Sequence, residues 1–410
     1  MKSNVRLYFL ISVLTLQAML AQAQQANMPF PQHMRYAPGS ILPNHISQKS
    51  LDNSVSSFYL LWKARYINSN CAKGQYYVWF ETKGNKQSVS EGQGYGMIIT
   101  ALMAGYDKTA QTTFDGLYRY YKAHPSKRDH NLMAWAQDNN CKDIDGSSAT
   151  DGDMDIAYSL LLANKQWGSA GPVNYLQEAT AMISSIMKQE INAKTLTPLL
   201  SNAVEYDSKD YFDTRTSDFM PANFKAFDAA MGDARWAKVV SSNYALFKQM
   251  QERYSPDAGL VPDFIRNTNT TPKPAGANYL ESKYDGYYNY NACRVPWRVA
   301  TDYLIYGDKR AKTMADRINT WVRGTTSDNP DNISAGYTLG GDDIKGRNFE
   351  ALSFIAPFAV SAMVDAKNQV WLNKVWDYLT KFTLDEFDYY DNSIKLLDMI
   401  ILTGNYWPPN

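Results

Sequence analysis

Apolar residues recur at helical spacing along nearly the whole of this chain, and that regularity decides most of what it can become. Val55, Phe58, Tyr59, Trp62 and Tyr66 follow i, i+3, i+4, i+7 and i+11, one stripe along a helix. Comparable segments recur at about 91–106, 109–123, 153–167, 173–188, 222–231, 235–253, 296–306, 310–323, 350–364, 368–383 and 391–403. Gly105 closes one segment, and Pro172 and Pro221 stand near the first turns of two others. Strand alternation is rare, and its best instance, Gly74 to Glu81 (GQYYVWFE), stands alone. Twelve such helices joined by loops predict a closed or stacked helix-hairpin architecture. No repeat of fixed period is visible, which argues against a solenoid.

The ends and the composition narrow the class. Lys2 and Arg6, the apolar run Leu7 to Leu20 and Ala21-Gln22-Ala23 read as a signal peptide over residues 1–23, cleaved near Ala23. The run falls short of the roughly 20 residues that span a bilayer, so an exported protein, secreted or periplasmic, is expected rather than an anchored one. Residues 24–50, Pro-rich from Met28 to Pro43, read as an extended arm, and 51–410 as a single domain without a flexible linker. With 45% hydrophobic residues the chain has a core to bury, which excludes disorder. Its 41 basic and 41 acidic residues lack the excess of a nucleic-acid binder. Cys71, Cys141 and Cys293 leave two readings open: one disulfide with a free thiol, or three buried thiols. No CxxC or HxxxH spacing exists among three Cys and four His, so a structural zinc site is not expected, and no metal ligand is assigned. The ten Trp and 29 Tyr suit either a large core or a surface that stacks on sugar rings.

Two segments break local helix propensity. Ser90-Glu91-Gly92-Gln93-Gly94-Tyr95-Gly96-Met97 puts three alternating glycines at the start of an apolar helix, each costing about 1 kcal/mol relative to Ala inside it. Close approach of backbone or ligand explains them, with Glu91 presented at a helix N-terminus; a start capped by Ser90 explains them as well. Ala149-Thr150-Asp151-Gly152-Asp153-Met154-Asp155 alternates three aspartates before a helix. Read as an EF-hand loop from Asp151, it lacks the glutamate at the twelfth place, where Leu162 stands. A third feature is the long non-helical stretch from about Tyr254 to Tyr290, of a length that is usually functional in a compact helical domain.

ATDGDMDIAYSLLLANKQW resembles the signature stretch of the family-8 glycoside hydrolases, SEGQGYGM that family's general-acid motif, and Tyr290 to Arg298 (YNACRVPWR) its late aromatic-Ala-x-Arg-x-Pro segment. The resemblance implies an all-α fold, an (α/α)6 barrel of six inner and six outer helices with a cleft across one end. It implies a glycosidase without a cofactor, acting on a polysaccharide or oligosaccharide, and a monomer is expected.

Glycoside hydrolysis needs a protonated carboxylic acid beside the leaving oxygen and a second carboxylate opposite. The resemblance makes Glu91 the acid and Asp151 the residue that holds the sugar at the cleavage point. In one large branch an Asp stands where this chain has Asn291, which cannot accept a proton. The chitosanase-like branch supplies a Glu from an upstream loop, and Leu280-Glu281-Ser282 matches it; Glu281 is the only glutamate of the stretch. Asp285, Asp263 and Asp257 are the fallback candidates. Such a pair acting across a water inverts the anomeric centre.

Substrate-binding candidates are Tyr95, Trp135, Tyr206 with Asp207, Tyr288, Asn291, Arg294 and Trp297, with Trp135 and Tyr206 favoured by their polar surroundings. The chitosanase-like match makes chitosan the first expectation for an endo-acting enzyme. The acidic runs Glu205, Asp207, Asp210, Asp213, Asp218 and Asp143, Asp145, Asp153, Asp155 suit a polycation. A β-1,3-1,4-glucanase or cellulase is the alternative, and a xylanase a lesser one. A non-catalytic carbohydrate-binding protein would lack one of the two carboxylates. A lyase would need a basic cleft and a Tyr, His or Lys base, and no matched segment contains a His.

Overall fold

A computed structural model of the chain describes residues 25–80 and 84–410. The signal-peptide reading of residues 1–23, and Glu81, lie outside the described residues. The helices are α1 (Gln48–Tyr66), α2 (Ser90–Leu102), α3 (Ala110–Ala123), α4 (Thr150–Trp167), α5 (Tyr175–Gln189), α6 (Pro221–Met231), α7 (Arg235–Tyr254), α8 (Val295–Tyr306), α9 (Lys309–Thr326), α10 (Leu352–Ala362), α11 (Gln369–Lys381) and α12 (Tyr389–Leu402).

The even-numbered helices contact one another in a closed cycle, α2 to α4 to α6 to α8 to α10 to α12 and back to α2. Each odd-numbered helix lies outside against them, as α3 does on α2 and α9 on α8. This is an (α/α)6 barrel, and the sequence shows why the layers sort. Outer helices such as α1 bury one stripe, Leu51, Val55, Phe58, Tyr59, Trp62 and Tyr66. Most inner helices have no polar face to offer water; α10 is buried at every position from Leu352 to Ala362.

The N-terminal arm fixes the direction of the ring. Its backbone N–H groups donate to the carbonyls of Gln166, Ala104, Gly404, Leu304 and Met363, from Asn27, Phe30, Met34, Ala37 and Ile41 respectively. These carbonyls stand at the C-terminal ends of α4, α2, α12, α8 and α10, so the arm satisfies groups that a helix end leaves orphaned and closes that end of the barrel. The N-termini of the inner helices therefore open at the opposite end. There the loops leading from each outer helix to the next inner one converge.

Both unusual segments are helical. Helix α2 starts at Ser90 with Val89 in the cap position, and the Ser90 hydroxyl caps nothing. The capped-start reading of the glycines gives way to close approach. A Cβ on Gly94 would lie 2.7 Å from the Asp155 Cβ and 3.2 Å from the Gly152 carbonyl. A Cβ on Gly152 would lie 2.6 Å from the Ser90 backbone. The two helices thus meet along a seam of glycines that sets Glu91 and Asp151 side by side at the open end. Gly94→Ala is expected to destabilise the fold by about 1–3 kcal/mol, because the backbone facing it cannot retreat. Urea denaturation measures it, and a midpoint equal to that of the parent chain would show that the seam is loose.

The isolated strand pattern survives only as Tyr77–Val78, paired with Ile67–Asn68. Lys86–Val89 pairs with Ala136–Asp138, which pairs in turn with Asp143–Asp145. A Cys71–Cys141 disulfide joins these two hairpin regions, and Cys293 is free and buried. That resolves the two cysteine readings in favour of one bridge and one thiol.

Candidate active site

A cleft of about 400 Å³ opens at the N-terminal ends of the inner helices, lined by Glu91, Asp151, Arg215, Glu281, Asn291 and Arg294 among others. Five elements contribute. Glu91 comes from the first turn of α2, Asp151 from the first turn of α4, and Arg215 from the short strand Thr214–Arg215. Glu281 and Asn291 lie in the connection between α7 and α8, and Arg294 stands at the entry to α8.

Arg294 is the hub, with its side chain 2% exposed. Its Nη1 donates to Glu91 Oε2 at 2.7 Å, Asp151 Oδ2 at 3.0 Å and the Tyr95 hydroxyl at 3.2 Å. Its Nη2 donates to Ser217 Oγ at 2.9 Å and Asn291 Oδ1 at 2.8 Å. Arg215 completes a second arc: its Nη2 lies 2.9 Å from Asp151 Oδ1, its Nε 2.8 Å from Asp218 Oδ1 and its Nη1 3.8 Å from Glu281 Oε1. Asn291 Nδ2 donates to Glu281 Oε2 at 2.7 Å, and the Tyr389 hydroxyl to Glu91 Oε1 at 3.2 Å.

Two neighbouring carboxyls are thereby pushed apart. Burial raises Glu91 to about 7, working against Arg294 and assisted by the charge of Asp151. Burial acts on Asp151 too, but Arg215 and Arg294 together overcome it and hold the group down at about 2. A protonated acid thus stands beside a fixed carboxylate, the division of labour that acid-catalysed bond cleavage requires.

The other aspartates of the signature are engaged elsewhere. Asp155 takes both ends of the Arg298 guanidinium, at 3.0 and 2.5 Å, inside the barrel. Asp153 Oδ1 accepts the Met133 N–H at 2.9 Å. Burial and then the neighbouring charge of Glu190 raise Asp153 well above the carboxylate range. Among the described residues no group of three or more His, Cys, Asp or Glu is placed to hold a metal ion.

Of the fallback bases, Asp263 and Asp285 are structural clamps. Asp263 Oδ1 accepts the N–H groups of Asn289, Asn291 and Ala292 at 3.1, 3.1 and 2.7 Å. Asp285 accepts those of Leu280, Glu281 and Ser282 at 2.7, 3.1 and 2.7 Å. Asp257 is exposed and does not line the cleft.

The aromatic candidates divide. Trp135 lines the cleft, half-buried, with Lys86 Nζ 4.5 Å from its ring centre. Tyr95, Tyr288 and Trp297 correct the sequence reading: they are 0%, 0% and 2% exposed, so no sugar reaches their faces. Tyr95 lies one turn deeper than Glu91, Trp297 carries Arg298 on its ring, and Tyr288 stacks on Phe358 at 5.8 Å. Tyr206 and Asp207 are exposed but outside the cleft lining, and Lys194 covers the Tyr206 ring at 4.4 Å.

Sequence reading missed Arg215, Ser217, Phe80, Tyr389 and Tyr390, and it placed Tyr290 only within a motif. Phe80, Tyr290 and Tyr390 line the cleft, and Tyr389 packs at 5.3 Å from Phe80. An isolated aromatic pair before a predicted helix (Tyr389-Tyr390) was the one signal present.

The buried carboxyls also fix a pH dependence of stability. Burial raises Glu91 and Glu190 to about 7, Asp263 to about 8 and Asp218 to about 6. Each keeps its proton in the fold at a pH where the unfolded chain has released it, so its contribution is present at low pH and lost as pH rises through the folded value. Asp151, held low, opposes this only below about pH 4. Tm should therefore fall between about pH 5 and pH 8; a flat or rising Tm across that window would contradict the assigned burial.

Comparison with known proteins matches this arrangement. The chain is 48% identical over 383 residues to a β-glucanase of Niallia circulans, covering 93% of this chain and 91% of that one. It is 41% identical over 408 residues to an endoglucanase of Bacillus sp. strain KSM-330, covering 97% and 86%. The apo structure of a β-1,3-1,4-glucanase from Paenibacillus sp. X4 superimposes with a TM-score of 0.89 at 47% identity, over 93% of this chain and 99% of that one. The family model for glycosyl hydrolases family 8 matches residues 28–404, in agreement with the barrel, the cleft and these relatives: the chain belongs to that family and is a glycosidase acting on polysaccharide.

Proposed function

We propose that the protein is an endo-acting, inverting β-glucanase with mixed-linkage β-1,3-1,4-glucan as its substrate. Glu91 is the general acid, Glu281 the base that takes a proton from the attacking water, and Asp151 the carboxylate that holds the sugar at the cleavage point. The observation that carries this reading is the Glu91–Arg294–Asp151 cluster, in which one carboxyl is kept protonated to about pH 7 beside one kept ionised. Trp135, Tyr290 and Tyr390 in the cleft lining are the rings that can meet the sugars.

The substrate follows from two lines of support. Similar proteins bear the names β-glucanase, endoglucanase and β-1,3-1,4-glucanase. The cleft also sets the cations Lys86, Arg215 and Arg294 among its carboxyls, which suits a neutral polymer better than a cationic one. Several of the acidic residues that suggested chitosan are paired with cations: Glu205 with Arg128, Asp213 with Arg266, Asp155 with Arg298. Chitosan, the first expectation from sequence, therefore yields to β-glucan. The Cys71–Cys141 disulfide supports the export reading, since such bonds persist in oxidising compartments.

Reducing-sugar release from mixed-linkage β-glucan, carboxymethylcellulose, chitosan and xylan, assayed side by side, tests the proposal. Mixed-linkage glucan should be cut fastest, with viscosity falling ahead of reducing ends as endo cleavage requires. Faster release from chitosan would overturn the substrate, and an ultraviolet-absorbing unsaturated product would overturn the reaction class.

A further inference from the structure

A loop side chain activates water reproducibly only when its carboxylate is aimed, and Glu281 is 44% exposed on its loop. Its main chain is held by Asp285, which accepts the N–H of Glu281 and of both its neighbours. That fixes where the side chain starts but not where it points. Among the described residues the side-chain N–H at close hydrogen-bonding distance from the carboxylate is that of Asn291, at 2.7 Å; Arg215 stands farther off at 3.8 Å.

We infer that Asn291 is a positioning residue for the loop carboxylate, aiming Glu281 and tying it through Arg294 to Glu91. This rests on the reading of Glu281 as the base. The amide can serve because it has one satisfying orientation. Arg294 can only donate, so the atom facing its Nη2 at 2.8 Å is Oδ1, and Nδ2 is left to face the carboxylate. Asn291 is itself buried, 5% exposed, with its own N–H held at 3.1 Å by the Asp263 clamp. The result is a continuous path, Glu281 to Asn291 to Arg294 to Glu91, with links of 2.7, 2.8 and 2.7 Å. The groups that face Glu281 are the cation Arg215 from the neighbouring strand and the titratable Asp263 behind Asn291.

An aspartate at this position would be isosteric and would reverse the function of the group. It would set an oxygen where Nδ2 now donates, 2.7 Å from Glu281 Oε2, and two carboxylates so close do not both ionise readily.

Steady-state kinetics on mixed-linkage glucan across pH test this with Glu281→Ala, Asn291→Ala and Asn291→Asp, each checked for folding by circular dichroism and Tm. Asn291→Ala should lower kcat about 10- to 100-fold with KM within about threefold, as expected for misplacement of a reacting group without loss of binding. Asn291→Asp should move the acid limb of kcat/KM upward by at least about one pH unit, which a merely structural residue would not do. Glu281→Ala should be inactive. Wild-type kcat and an unmoved acid limb in both folded Asn291 variants, with Glu281→Ala dead, would overturn the positioning role and leave the base assigned. An active Glu281→Ala would remove the base and this inference with it. If one Asn291 variant does not fold, the other decides.

Discussion

Glu91→Gln is expected to lower kcat on mixed-linkage glucan by about 10²- to 10⁴-fold, the range that general acid catalysis contributes. Glutamine preserves the size of the side chain and its contacts with Arg294 Nη1 and the Tyr389 hydroxyl, so the hub stays assembled. What disappears is the proton. The guanidinium at 2.7 Å disfavours protonation of Oε2, which leaves Oε1 as the oxygen that carries it. KM should stay within a few-fold, because the ground-state sugar does not need that proton. Two further readouts separate an acid from a residue that merely binds. The basic limb of the wild-type kcat/KM profile should lie near the value of about 7 imposed on Glu91 by burial, and it should vanish in the variant. A substrate with a dinitrophenolate leaving group, which departs without protonation, should be hydrolysed by the variant nearly as well as by the parent. Retention of more than about a tenth of the activity on glucan would reject the assignment, given the range above.

The fold was legible from the sequence because most outer helices carry a 3.6-residue apolar stripe and the inner ones read as long apolar runs bounded by turn residues, and each of the twelve predicted segments overlaps a helix. Closure into a ring was not legible from that signal, which is local, whereas α12 against α2 joins elements nearly three hundred residues apart; the family resemblance supplied it. The segments of Glu91 and Asp151 stood out because they defy helix propensity, Gly94 and Gly152 doing so for a contact between two helices, while the roles of the two carboxyls came from the family resemblance. Arg215 carried no such mark. It sits in an ordinary-looking TRTSD stretch and matters only because the strand delivers it between Asp151 and Glu281. Tyr288 lies in the connection before α8 and turns inward onto Phe358, whereas the errors over Tyr95 and Trp297 share one cause. Nearness to a motif in sequence was read as nearness to the cleft, but along a helix that points down the barrel the next turn is core. Tyr95, one turn after Glu91, shows this most plainly, since its hydroxyl meets Arg294 from below.

Glu281→Ala should lower turnover by at least the same 10²- to 10⁴-fold while leaving glucan binding intact, because the base acts on water and not on the bound sugar. The loss should be partly reversible in a way the loss at Glu91 is not. Removing the carboxylate opens a space at the cleft mouth bounded by Arg215 and the Asn291 amide, a cation and a donor suited to a small anion. Azide added there needs no base: its nitrogen bonds to the anomeric carbon as the glycosidic bond breaks, and Glu91 gives its proton to the departing oxygen. The product should be an α-glycosyl azide from the β-linked substrate, its inverted configuration read by proton NMR. A β-azide would mean a double displacement and would remove the inverting mechanism. Should Glu281→Ala remain active, Asp263 and Asp285 are poor replacements, since each already accepts three backbone N–H groups. Asp263→Asn or Asp285→Asn should therefore lose activity together with Tm, whereas Glu281→Ala, on an exposed side chain, should lose activity at unchanged Tm. A death of activity at constant Tm in Asp263→Asn, beside an active Glu281→Ala, would move the base from the loop to the barrel wall.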